Sequence, residues 1–107
     1  MNDTIYNFNY PSSLIKEYEH WVVLIRPKQV TIGSLVLAAK GESVSFANLS
    51  KNEFSELNIV FKDIEISLKK CFQFDKINYL ALMMVDRNPH FHVIPRYSKS
   101  INFGGKK

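Results

Sequence analysis

The feature that most limits how this 107-residue chain can fold is one long amphipathic helix set among short apolar runs. Ser50-Lys51-Asn52-Glu53 is a capping box, in which a hydroxyl and a carboxylate satisfy the first free N–H groups of a helix, and Leu49 and Phe54 are placed as a hydrophobic staple. Phe54, Leu57, Phe61, Ile64, Leu68 and Cys71 then recur at spacings of three and four. That is one apolar stripe on a helix of roughly five or six turns. Glu65 and Lys69 pair on its polar side, Cys71 reads as a small core residue, and Ile59 and Ile66 fall off the stripe. A single stripe can cover only one face of a sheet.

The other apolar runs read as strands. LIKEY and HWVVLIR are separated by almost nothing and predict a tight hairpin around residues 18–20. The unbroken apolar run Trp21–Ile25 suits a strand buried on both faces. SLVLAA after Gly33 is a third strand, INYLALMMV (77–85) a long fourth with Met83 and Met84 as filling, and residues 90–94 a fifth that Pro95 ends. The opening MNDTIYNFNYPSS is polar and aromatic, and SKSINFGGKK reads as a frayed tail. Short links favour antiparallel pairing. The expected fold is α+β, an antiparallel five-stranded sheet with one long helix packed on one face, in a single domain over 1–107.

Composition narrows the class. The chain is 46% hydrophobic and 22% charged, enough for a core. Lys plus Arg less Asp plus Glu is 14 − 10, or +4, without a run of like charge, which suits a small anion better than a specific nucleic acid. One cysteine excludes an internal disulfide and fits a reducing compartment. Residues 1–10 lack a signal-peptide pattern and no apolar stretch is long enough to span a bilayer, so a cytoplasmic protein without a membrane is expected.

The chemistry sits in Asn88-Pro89-His90-Phe91-His92-Val93-Ile94-Pro95-Arg96. Strand alternation puts Asn88, His90, His92 and Ile94 on one face and Phe91 and Val93 on the other. With the helix on one face, the histidine face is left to line a groove. A neutral imidazole is a nucleophile near neutral pH, and its neighbour can donate a hydrogen bond to a phosphate oxygen. Two histidines at this spacing are also ordinary, partly exposed sheet residues, and that reading stays open. Zinc wants three or four ligands where this strand offers two; His20 and Asp86 are candidate thirds whose approach the sequence does not fix. Gly33 stands alone, without a phosphate-cradling glycine pattern.

PHFHVIPR resembles the signature strand of the histidine-triad superfamily. HWVVLIRPKQVTIGSLVLAAK resembles that family's two strands and Pro-containing turn, and the capped helix and INYLALMMV fall where the family has its long helix and the strand before the triad. The resemblance covers residues 14–97 and is nearest to the bacterial diadenosine-tetraphosphate-hydrolase-like branch. It implies a nucleotide-binding hydrolase or nucleotidyl transferase that acts at the α-phosphate of a dinucleoside polyphosphate or nucleotide conjugate through a nucleotidyl-histidine intermediate. It implies no cofactor and a homodimer. By position, His90 falls on the attacking histidine and His92 on the phosphate-contacting one, with Asn88, Arg26 and Ser34 near the substrate.

The departures point to an alternative. The first triad histidine is Asn88 here, the family's histidine after glycine is Ser34, and Arg26 stands where a ribose-binding Asn or Asp is common. Ser34 and Asn88, replacing two histidines of one network, are expected to share a hydrogen bond. The loop before the triad is cut to Asp86-Arg87-Asn88-Pro89. The nucleophile remains while groups that orient it are lost, so a weak or inactive nucleotide-binding, regulatory protein is the competing expectation.

Overall fold

A computed structural model describes residues 1–98. Eight elements follow in order. They are α1 (Asp3–Asn7), β1 (Leu14–Glu17), β2 (Trp21–Ile25), β3 (Leu35–Ala39), a 3-10 turn (Phe46–Asn48), α2 (Lys51–Cys71), β4 (Lys76–Leu80) and β5 (His90–Arg96). The strands form one antiparallel sheet in the order β1-β2-β3-β5-β4, with α2 on one face. The α+β expectation holds, and so does the tight turn between β1 and β2.

The helix begins where its capping box predicts, with both reciprocal Ser50–Glu53 bonds formed. Its buried side chains are Leu57, Val60, Ile64 and Leu68, which pack on Trp21, Val23, Leu35, Leu37 and Val93. The stripe is therefore centred nearer Val60 than expected. Phe54 and Cys71, at the two ends of the helix, are exposed rather than in the core. Ile59 and Ile66 are exposed, as off-stripe residues should be. Trp21 donates its indole N–H to the Glu53 carbonyl at 2.8 Å, tying β2 to the first turn of α2.

Three expectations about the strands are corrected. β4 stops at Leu80; it is an edge strand, its last partner is His92, and residues 81–85 have no strand to pair with. Met84 and Val85 are almost wholly exposed and Met83 half-buried, so the methionines do not fill a strand. β5 continues through Pro95, which pairs with Ile77. The β3 ladder has already ended at Val93, so the missing proline N–H leaves no gap in it.

The largest difference lies on the sheet face away from α2. That face is not open. Ile5 packs with Val22, Leu24, Val36 and Ala38, and Phe8, Tyr10 and Leu14 close over the same cluster. The polar-looking N-terminus holds a five-residue helix capped by Asn2, whose Oδ1 accepts the Ile5 N–H at 3.0 Å. The Asn2 amide also donates to the carbonyls of Ala39 at 2.8 Å and Gly41 at 2.6 Å. A helix this short has little stability of its own, so these tertiary bonds and the burial of Ile5 hold it. The expected tail, beyond Tyr97 and Ser98, lies outside the described residues.

Candidate functional site

β5 places His90 and His92 on the face carrying α1, paired across the sheet with Ala38 and Val36. Their ring centroids are 5.1 Å apart and the ring planes nearly perpendicular. Phe91 and Val93 point to the α2 face, as alternation requires.

Each imidazole has one nitrogen fixed by a partner of a single kind. His90 Nδ1 lies 2.8 Å from the Asn88 carbonyl, which can only accept, so Nδ1 carries the proton. In the neutral ring the other nitrogen, Nε2, is then a bare lone pair; it is buried and has no hydrogen-bond partner among the described residues. His92 Nδ1 faces the Arg26 Nε–H at 3.3 Å, which can only donate, so Nδ1 accepts. In the neutral ring the proton of His92 is then on Nε2. Burial, then the neighbouring His90 and the Arg26 charge, hold the His92 imidazolium below the usual histidine range, which favours that neutral ring. The pair therefore offers one free lone pair and one N–H donor.

Asn88 supports this arrangement from behind. Its side-chain amide donates to the Ser43 carbonyl at 2.9 Å, its Oδ1 accepts from the Thr4 hydroxyl at 2.9 Å, and its backbone N–H donates to the same hydroxyl at 3.1 Å. Next to it Asn7 donates to Asp86 at 3.0 Å. Thr4 and Ser43 carried no motif in the sequence, and only the fold brings them to Asn88.

Ser34 is not part of this group. Its hydroxyl donates to the Thr31 carbonyl at 2.7 Å and closes the turn before β3. The expected Ser34–Asn88 bond is not formed; Ser34 precedes β3 at one end, whereas the Pro89 carbonyl meets Ala39 at the other. The third-ligand candidates do not join the histidines either. His20 sits with Glu19 and Glu56, with ligand atoms within 4.8 Å of one another, in the β1–β2 turn and on α2. Asp86 accepts from Asn7.

A cavity of about 530 Å³ lies elsewhere, between α2 and the β1–β2 edge, and Ser34, Ile25, Leu68 and Phe72 are among its walls. Size alone would favour it as a binding site. It contains neither histidine, and at its rim Asp63 is already bonded to Tyr18 at 2.8 Å and paired with Lys16 at 3.5 Å.

No protein-family model matches the sequence, and no curated protein matches it. Solved structures do. A HIT family protein from Bacillus anthracis superposes with a TM-score of 0.72 at 25% identity, over 81% of this chain and 65% of that one. The fold is the histidine-triad fold. A hypothetical histidine triad nucleotide-binding protein from Sulfolobus tokodaii gives a TM-score of 0.75 at 19% identity, over 91% of this chain and 68% of that one. The NitFhit protein of C. elegans gives 0.73 at 21% identity, over 80% of this chain and only 22% of that one. This histidine-triad fold thus spans about a fifth of the nematode protein and just under two thirds of the B. anthracis one. Among the described residues no helix is long and apolar enough to cross a membrane.

Proposed function

We propose that this chain binds a nucleotide or dinucleoside polyphosphate by its phosphates at the His90–His92 pair and turns it over at the α-phosphorus. The observation that carries the reading is the complementary protonation of the two rings, a bare Nε2 on His90 beside a protonated Nε2 on His92. The His90 lone pair attacks phosphorus, forming an N–P bond as the bond from phosphorus to the leaving oxygen breaks. The proton stays on Nδ1, where it donates to the Asn88 carbonyl, and the ring carries the positive charge. His92 donates its N–H to the phosphate oxygens on which charge develops. Water then attacks phosphorus and releases a proton to solvent, the N–P bond breaks with its electron pair returning to Nε2, and the neutral His90 returns. Arg26 holds His92 in its donating form and Asn88 holds His90. The Sulfolobus tokodaii protein with this fold is described as nucleotide-binding, which supports the ligand class.

A second reading is a binding protein with slow or no turnover, and the complete burial of His90 favours it. A His90→Ala variant separates the two. Turnover of an adenylyl substrate that falls to background in the variant, with an adenylyl adduct on His90 in the wild type, supports the enzyme. Equal rates for the two proteins remove it. Among the described residues β4 leaves one edge unpaired, which supports a homodimer paired through that strand, and the single cysteine supports a cytoplasmic setting.

A further inference from the structure

His90 is wholly buried, yet its Nε2, the atom the proposed chemistry needs, has no polar partner. A buried polar atom without a protein partner is uncommon and asks which group closes over it. The aromatic ring that meets both imidazoles is that of Phe8. Its ring centroid lies 5.7 Å from His90 and 5.7 Å from His92, inclined to both rings. Tyr10, in the same cluster, makes its ring contact with Tyr6 instead.

The two ends of this N-terminal cover differ in how they are held. The start of α1 is anchored by the Asn2 bonds to Ala39 and Gly41, by buried Ile5, and by Thr4 on Asn88. Phe8 is the residue that ends α1; it is half-buried, its N–H bonds back to Ile5 and Tyr6 and its carbonyl accepts from the Ser13 hydroxyl at 2.6 Å, so its backbone is held while its apolar side chain is held by packing alone. The next residue, exposed Asn9, lies in the left-handed region at φ 69°, a turn asparagine tolerates better than most residues. The Phe8 ring can therefore leave the imidazoles while the anchored turn, and with it the Thr4–Asn88 support of His90, stays in place.

We infer that Phe8 is the residue that controls access to His90 Nε2, and that any ligand reaching the histidine pair must displace its ring. This rests on the proposed function only for the ligand's identity; the cover itself is a property of the fold. Access by displacement lowers the apparent affinity by the fraction of molecules that are open, and removal of the ring removes that factor.

Diethyl pyrocarbonate, which acylates accessible neutral imidazole nitrogens, tests this with site-resolved mass spectrometry on the full chain. His20, outside the cluster and only half-buried, is the internal standard. In the wild type His90 is expected to react far more slowly than His20. In Phe8→Ala its rate rises by about tenfold or more, and in Phe8→Leu, which keeps an apolar cover, by less. Circular dichroism checks that each variant is folded, and Phe8→Leu carries the test if Phe8→Ala is not. A folded Phe8→Ala in which His90 stays as slow as in the wild type overturns the inference, as does a wild type in which His90 reacts as fast as His20. AMP binding to the same proteins judges the ligand separately. Tighter binding in Phe8→Ala supports displacement by a nucleotide. Unmasked His90 without AMP binding in either protein keeps the cover and removes the nucleotide reading.

Discussion

Thr4 and Asn88, 84 residues apart in sequence, exchange two hydrogen bonds through one hydroxyl, which donates to Asn88 Oδ1 at 2.9 Å and accepts the Asn88 N–H at 3.1 Å. Both residues are buried, so water does not replace either bond. Thr4→Val keeps the shape and removes the hydroxyl, leaving a buried donor and a buried acceptor unpaired. The expected loss of stability is about 2 kcal/mol. Thr4→Ser, which keeps the oxygen, should lie much nearer the wild type. Urea unfolding of the three proteins checks this, and a Thr4→Val protein as stable as Thr4→Ser would contradict it.

Arg26 decides which nitrogen of His92 is free to donate. Arg26→Met removes the N–H that His92 Nδ1 accepts and the charge that opposes His92 protonation. The His92 pKa should move up, though not all the way to the ordinary histidine value, because burial, the largest cause of the depression, persists. Proton NMR titration of the His92 ring reads the shift. Nucleotide affinity should fall by about tenfold, the scale of one charge-assisted hydrogen bond. An unmoved His92 titration would show that the 3.3 Å contact does not shape this ring.

Gly33 lies in the left-handed region at φ 87°, and a Cβ there would stand 3.1 Å from Phe72 Cδ2 and 3.4 Å from Leu68 Cδ2. Gly33→Ala combines backbone strain with a clash against the last turns of α2. It should cost about 1–2 kcal/mol. Because the affected packing is on the α2 face, the reactivity of His90 should not change. Thermal melting and the acylation rate of His90 together separate the two effects.

What the sequence reveals follows from which interactions are local. The start of α2 was legible because a capping box is complete within four residues, and the histidine face because strand alternation needs no partner. The ends of the α2 stripe were not, since burial there depends on what the sheet sets opposite them, and Phe54 and Cys71 are exposed although Glu53 and Phe72 beside them meet Trp21 and Gly33. Residues 81–85 look like strand by composition but lie beyond the last partner on an edge, which only the topology decides. The histidine pair could be found by its spacing. Its protonation pattern could not, because that depends on Arg26 meeting His92 across 66 residues. The cover over the pair was hidden for the same reason, since α1 exists through Asn2, Thr4 and Ile5 and has little propensity of its own.

His92 also sets a pH dependence. Its pKa is lowered in the fold, first by burial and then by His90 and Arg26, so the unfolded chain binds a proton more readily than the folded one. Above the ordinary histidine value of about 6.5 both states hold the ring neutral and the effect on stability is absent. As pH falls from there toward the lower folded value, the unfolded state gains protons first and stability drops. Unfolding free energies should therefore decrease between about pH 7 and 5, and His92→Gln, which cannot titrate, should flatten that part of the curve relative to the wild type. Protonation would also place a proton on the nitrogen that accepts from Arg26, setting two donors against each other. Nucleotide binding measured over the same range should thus show a break that Arg26→Met moves to higher pH. If the stability slopes of wild type and His92→Gln coincide, His92 is not the group being titrated.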